Sequence, residues 1–176
     1  HALARYAALC QEQDIVPIVE PEVLIDGDHS IEQCYEASER TLRATYAQMY
    51  EQGVELTGTL LKPNMVISGK EASRQSGVEE VAEATLEVLL RSVPAAVPGI
   101  AFLSGGQSDL QATQHLNAMN RMSDEVKLPW EISFSYARAL QQQPMEIWKG
   151  ESSNVEAAQR AFYHRAKMNS AARSGS

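Results

Sequence analysis

A lysine ends the apolar run of GTLLKPNM (58–65), and a proline stops the run directly after it. Side chains alternate along a strand, so Gly58, Leu60 and Lys62 share one face. If that face meets an apolar interior, desolvation disfavours the ammonium form, and a neutral amine can attack a carbonyl to form a Schiff base. The alternative is a strand-end lysine that snorkels to water. Glu20 and Glu22 close an earlier run, IVPIVEPE (15–22). At i and i+2 they point to the same side, and Pro21 between them stiffens their spacing. Two close carboxylates resist double ionisation, so such a pair can hold a proton to lend. Loss of water from a carbinolamine needs such an acid. The alternative is a pair of solvated loop-edge glutamates. SGGQS (104–108) ends a third run and precedes a helical pattern. Its glycines let backbone N–H groups converge on an anion, and the helix start adds positive character. Ser135 and Arg138 follow a fourth run, and the guanidinium fork of Arg138 suits a phosphate. A helix-surface arginine and an ordinary SGG turn are the bland readings.

The elements that carry these residues alternate. IVPIVEPE (15–22), GTLLK (58–62), GIAFLSGG (99–106) and EISFSYAR (131–138) read as buried strands, short, apolar and rich in branched or aromatic residues. Helical patterns lie between them. Ser30 and Gln33 form a capping box ahead of a stripe of Ile31, Tyr35, Leu42, Tyr46 and Met49, and Gly53 is the stop. A second helix spans 78–93 with Val78, Val81, Leu86, Leu89 and Leu90 inward. A third starts near Ser108-Asp109 and shows Leu110, His115, Leu116 and Met119. Two more helices cover 139–148 and 154–172, the latter capped by Asn154, and the chain ends in a frayed tail at 174–176. Trp130 and Trp148 read as core or helix-packing residues.

Strand and helix in alternation mean parallel strands joined by right-handed crossovers, either an open doubly wound sheet or a closed (β/α)8 barrel. No GxGxxG follows the first strand and no GxxxxGK[ST] occurs, which disfavours nucleotide folds. The polar residues gather at the carboxyl ends of strands, where barrels place their chemistry. Barrels often bind phosphate after their seventh and eighth strands. If this chain is a second half, those are its third and fourth strands.

Bulk properties narrow the classes. The 176 residues suit one domain, with 44% apolar residues and a mean hydropathy of −0.30. A net charge of −8 argues against a nucleic-acid surface, so an anionic substrate must be held by a few local donors. No run is long enough to span a membrane. HALARYAALCQEQD lacks the features of a signal peptide, and a start at His1 inside a helical pattern reads as a chain missing its beginning. Cys10 and Cys34 fit reduced thiols of a cytosol-like compartment. The four histidines show no metal-ligand spacing, and DGDH (26–29) lacks the rest of a calcium loop.

The motifs IVPIVEPE, GTLLKPNM, FLSGGQS and FSYARAL, in this order and spacing, resemble class I fructose-1,6-bisphosphate aldolase. The resemblance continues through LNAMNR (116–121) and NVEAAQRAFYHRAKMNS (154–170) and covers essentially the whole chain. It implies a (β/α)8 TIM barrel, usually a homotetramer and cytoplasmic, with a plastid location left open by the absent N-terminus. Such an enzyme cleaves fructose 1,6-bisphosphate to dihydroxyacetone phosphate and glyceraldehyde 3-phosphate with no metal or other cofactor. The resemblance further implies that Lys62 is the Schiff-base lysine, that Glu20 is the acid/base of dehydration, and that Glu22 pairs with and orients the active-site lysines. Ser104, Gly105, Gly106 and Arg138 would bind a substrate phosphate, and Ser135 would line the floor nearby. Ala137 stands where many members have glycine and would offer a backbone donor, provided its φ/ψ suits.

The family's first four strands are not present in this sequence. Residues 1–173 therefore read as the C-terminal half of one barrel, supplying about strands five to eight. Two alternatives stay open: another Schiff-base barrel lyase on a phosphorylated sugar, and a non-catalytic fragment acting as an interaction module.

Overall fold

Helices and short apolar strands alternate from residue 2 to residue 148, and a last helix follows with no strand before it. The computed structural model describes residues 1–123 and 126–176 in full. The order is α1 (Ala2–Gln11), β1 (Ile18–Val19), α2 (Ile31–Glu51), β2 (Leu60–Leu61), α3 (Val78–Ser92), β3 (Gly99–Phe102), α4 (Asp109–Val126), β4 (Glu131–Phe134), α5 (Arg138–Trp148) and α6 (Val155–Arg173). All pairings are parallel, and the strands stand side by side in chain order, β1-β2-β3-β4. Each crossover thus moves one place in the same direction. A doubly wound sheet reverses direction at a switch point, whereas a barrel does not.

One row of side chains fixes which face is core. Val19 lies opposite Leu61, Leu61 opposite Ile100, and Ile100 opposite Ile132. All four are buried against the helices. Ile31, Leu42, Tyr46 and Met49 of α2, Val81, Leu86 and Leu89 of α3, and Leu116 and Met119 of α4 complete that core. Residues one position along each strand face the other way, and Ile18 among them is exposed.

The helix starts follow local chemistry. Ser30 accepts from the Gln33 N–H while the Gln33 side chain takes the Ser30 N–H, and Ser108 and Gln111 repeat the arrangement. Gly53, at φ 68°, follows α2 as its stop.

Several expectations are corrected. Gly58 lies in a 3-10 turn (Leu56–Gly58), so β2 is shorter than the apolar run and only Leu60 and Lys62 share the strand face. Leu90 and Leu110 are 45% and 58% exposed. Leu90 sits about 100° around α3 from Leu89, off the inward stripe. Leu110 lies in the first turn of α4, ahead of the buried Ala112, Leu116 and Met119. Asn154 does not cap α6 with its side chain, which donates instead to the Trp148 carbonyl. Trp130 is core, but Trp148 is partly exposed between α5 and α6. Ser174, Gly175 and Ser176 donate backbone bonds to the last turn of α6. Among the described residues, no helix is long and apolar enough to cross a membrane.

Candidate active site

The sheet register brings the first two site residues together. Val19 faces Leu61, so the next residues along, Glu20 and Lys62, are neighbours on the opposite side of the sheet. The Lys62 N–H donates to the Val19 carbonyl at 2.8 Å, which extends the ladder past the last paired residues. The result is an ion pair, Lys62 Nζ to Glu20 Oε1 at 3.0 Å. The lysine side chain is 21% exposed and the glutamate 46%. Lys62 is therefore largely covered but not sealed from solvent, because four strands form one wall rather than a closed interior. Its neighbours in the same row, Ala101 and Ser133, are small.

Asn64 locks this arrangement. Its Oδ1 accepts the Val23 N–H at 2.9 Å, and its Nδ2 donates to Ser38 Oγ and the Met65 carbonyl. The chain after β1 is thereby tied to the chain after β2. Pro21 and Pro63 turn inward and are buried, while Glu22 is exposed and forms no ion pair among the described residues.

The glycine turn forms at the same edge. The Leu103 N–H donates to the Pro63 carbonyl, which fixes the start of the turn against β2. Gly105 and Gly106 have φ of 58° and 83°, left-handed values that favour glycine. Their N–H groups donate to no acceptor among the described residues. The buried Ser104 is held from behind. Gln107 Nε2 donates to the Ser104 carbonyl at 3.0 Å, and Gln107 Oε1 lies 2.6 Å from His115 Nδ1. Because the Gln107 amide nitrogen is already directed at a carbonyl, His115 Nδ1 is the donor in that second bond. Burial pushes the imidazole down to about 4, only partly countered by Glu79, so the ring is neutral near pH 7.

After β4, the Ser135 N–H donates to the Phe102 carbonyl at 2.8 Å. Tyr136 is buried, with its hydroxyl donating to the Ala112 carbonyl, and desolvation raises its pKa. This anchor presents Ala137 and the exposed Arg138 at the start of α5. Ala137 has φ −93° and ψ −80°, so the position does not require glycine.

The matching proteins decide the family. The profile described as "Fructose-bisphosphate aldolase class-I" matches residues 1–176. The "Probable fructose-bisphosphate aldolase class 1" of Xanthomonas campestris pv. campestris is 56% identical over 176 residues, 99% of this chain and 52% of that protein. This chain belongs to the class I fructose-bisphosphate aldolase family. "Fructose-bisphosphate aldolase 6, cytosolic" of Arabidopsis thaliana is 52% identical over 175 residues, again 99% of this chain and 48% of the relative. A solved aldolase from Plasmodium falciparum, in complex with TRAP and a small-molecule inhibitor, superposes with a TM-score of 0.95 at 44% identity, covering 99% of this chain and 49% of that one. The fold is accordingly that of the aldolase barrel, with this chain spanning about half the length of the relatives it matches.

Against the sequence reading, the aldolase fold joins Lys62 to Glu20 directly and brings the glycine turn, Ser135, Ala137 and Arg138 to the same sheet edge. Glu22 lies at that edge and has no lysine partner among the described residues. Asn64, Gln107 and His115 went unread as parts of the site. Asn64 stands two residues after Lys62, a spacing that could have marked it. Gln107 stands inside the SGGQS run and His115 eight residues after it, but their bond to each other depends on how the turn folds onto the start of α4.

Proposed function

We propose that this chain carries the Schiff-base half of a class I aldolase lyase, reversibly splitting fructose 1,6-bisphosphate into dihydroxyacetone phosphate and glyceraldehyde 3-phosphate in glycolysis and gluconeogenesis. The observation that carries this reading is the 3.0 Å contact between Lys62 Nζ and Glu20, at the strand ends of a chain of this family. The amine of Lys62 attacks the C2 carbonyl of the ketose after giving its proton to Glu20. Glu20 then protonates the carbinolamine hydroxyl, which leaves as water. A base beyond the groups gathered here takes the C4 hydroxyl proton as the C3–C4 bond breaks, the iminium accepts that bond's electron pair, and so an enamine stays on Lys62 while the aldehyde departs. No metal or other cofactor is needed in this scheme, because the iminium is the electron sink.

In this reading Glu22 assists at the same edge. The free N–H groups of Gly105 and Gly106, with Ser104, Ser135, Ala137 and Arg138, receive the C1 phosphate. Residues 1–173 act as the C-terminal half of one barrel domain, in a cytoplasmic enzyme that assembles as a homotetramer. The cytosolic relative in Arabidopsis thaliana supports the location.

Dihydroxyacetone phosphate with borohydride tests the reading. The expected result is one reduced adduct on the peptide bearing Lys62, absent in Lys62→Met. An adduct spread over surface lysines, or none, overturns it.

A further inference from the structure

Three loops that follow three different strands meet at Gly106. The loop after β1 and the loop after β2 are joined by backbone bonds at 2.9 Å: Gly69 N–H to the His29 carbonyl, Lys70 N–H to Ile25, and Glu71 N–H to Gly27. Gly69 has no room for a side chain, since a Cβ there would lie 2.2 Å from the Gly27 carbonyl oxygen. This joint fixes the backbone of Lys70 and sends its side chain across to the third loop. A Cβ on Gly106 would stand 3.2 Å from Lys70 Nζ and 3.3 Å from Ile25 Cγ2. The ammonium therefore lies close to Gly106, in a turn whose Gly105 and Gly106 N–H groups have no protein acceptor among the described residues. Its own carboxylate neighbour, Asp26, is 3.7 Å away and mostly exposed, a loose pairing that leaves the charge available.

We propose that Lys70 is a specificity-determining residue of this turn, supplying the cation that favours phosphorylated over unphosphorylated ketoses at Lys62. The inference rests on the reading of the turn as a phosphate grip given above. Two backbone N–H groups are neutral donors, and a phosphate dianion in a chain of net charge −8 needs local positive charge. Arg138 stands exposed at the start of α5, after the strand next to β3, and Lys70 reaches Gly106 from the joined loops. Asp26 opposes this by drawing on the same ammonium, so its removal should strengthen the effect.

The experiment compares dihydroxyacetone phosphate with dihydroxyacetone, trapped by borohydride and read as mass on the Lys62 peptide, in the wild type, Lys70→Met, Lys70→Arg and Asp26→Asn. Lys70→Met is expected to raise the half-saturating concentration of the phosphate ester about fivefold, with the limiting adduct yield and the response to dihydroxyacetone unchanged. Lys70→Arg should restore most of the loss, and Asp26→Asn should lower the half-saturating concentration. Equal half-saturation of Lys70→Met and wild type with the ester overturns the proposal, as does an equal loss with both ketones. Amide shifts of Gly105 and Gly106 on titration with inorganic phosphate provide the second readout. If these shifts appear in the wild type and vanish in Lys70→Met while no ketose is trapped, the Lys62 chemistry falls and the Lys70 assignment stands. If the wild type shows no shift, Lys70 has no such role.

Discussion

In the proposed mechanism the Schiff base starts from a neutral amine, so a proton carried by Lys62 must have somewhere to go. Glu20, 3.0 Å away, is within direct transfer distance, and it can return that proton to the carbinolamine oxygen. Glu20→Gln keeps the size and a hydrogen bond but cannot shuttle a proton. We expect trapping of dihydroxyacetone phosphate to slow by about two to three orders of magnitude, with its half-saturating concentration little changed. Quenched time courses would check this, and a loss of affinity with unchanged rate would assign Glu20 to binding instead. His115 supports the site differently, by holding Gln107 against the Ser104 carbonyl. Its folded pKa is about 4, against 6.5 ordinarily. Between those values the unfolded chain binds more protons, so stability falls as pH drops from 6.5 to 4 and levels below. The full loss is about 3 kcal/mol. Urea unfolding at pH 7 and pH 4.5 should show a smaller pH effect in His115→Gln than in the wild type. Equal slopes would mean that the ring is accessible to protons in the fold. The lysine pairing was expected of Glu22, whereas Glu20 makes the ion pair, but Lys62 and Glu20 were both legible in the sequence as polar residues closing two strands. Lys70 was not, because nothing in GKEAS (69–73) shows that its amine crosses to a turn more than thirty residues away.

At the scale of elements, periodicity and capping identified the helices well, since the Ser30 and Ser108 boxes are local chemistry. The strands were harder. Apolar content marks where a run is buried, whereas ladder bonds decide how much of it is strand, and here β1 and β2 keep two residues each. Leu90 and Leu110 show the matching failure in helices, where a residue at the margin of a stripe is decided by what packs opposite. The joint between the first two loops was invisible for the same reason as Lys70, although Gly27 and Gly69 are its local marks. Gly69→Ala should break that joint, because its Cβ meets a backbone carbonyl that cannot swing away. We expect a loss of about 2 kcal/mol, seen as a fall in Tm of about 5 °C, together with weaker binding of the phosphate ester. An unchanged Tm with unchanged binding would show that the loops separate freely and do not position Lys70.

For the whole molecule, the four parallel strands leave β1 and β4 as the outer strands of the sheet, and the face that carries Lys62 is bounded by one wall. Ile15, Val16 and Ile18 are exposed around β1. Retro-aldol cleavage needs more than a Schiff base: a base must take the C4 hydroxyl proton, and a second phosphate must be held while the C3–C4 bond aligns with the iminium. In the proposed mechanism, the described residues gathered at the site edge serve imine formation and one phosphate. The relatives are about twice as long as this chain, which covers 52% of the Xanthomonas campestris protein. We therefore expect the 176-residue chain to trap dihydroxyacetone phosphate at Lys62 yet to cleave fructose 1,6-bisphosphate at least about a hundredfold more slowly than a full-length relative. Supplying the segment of a relative that aligns outside this chain should restore cleavage and bury the exposed apolar residues around β1. Coupled assay of triose phosphate release, with sedimentation to record the species present, separates the outcomes. Full cleavage by a monodisperse monomer of this chain alone would mean that Glu20, Glu22 and the turn suffice for the whole reaction, and the division of labour argued here would be wrong.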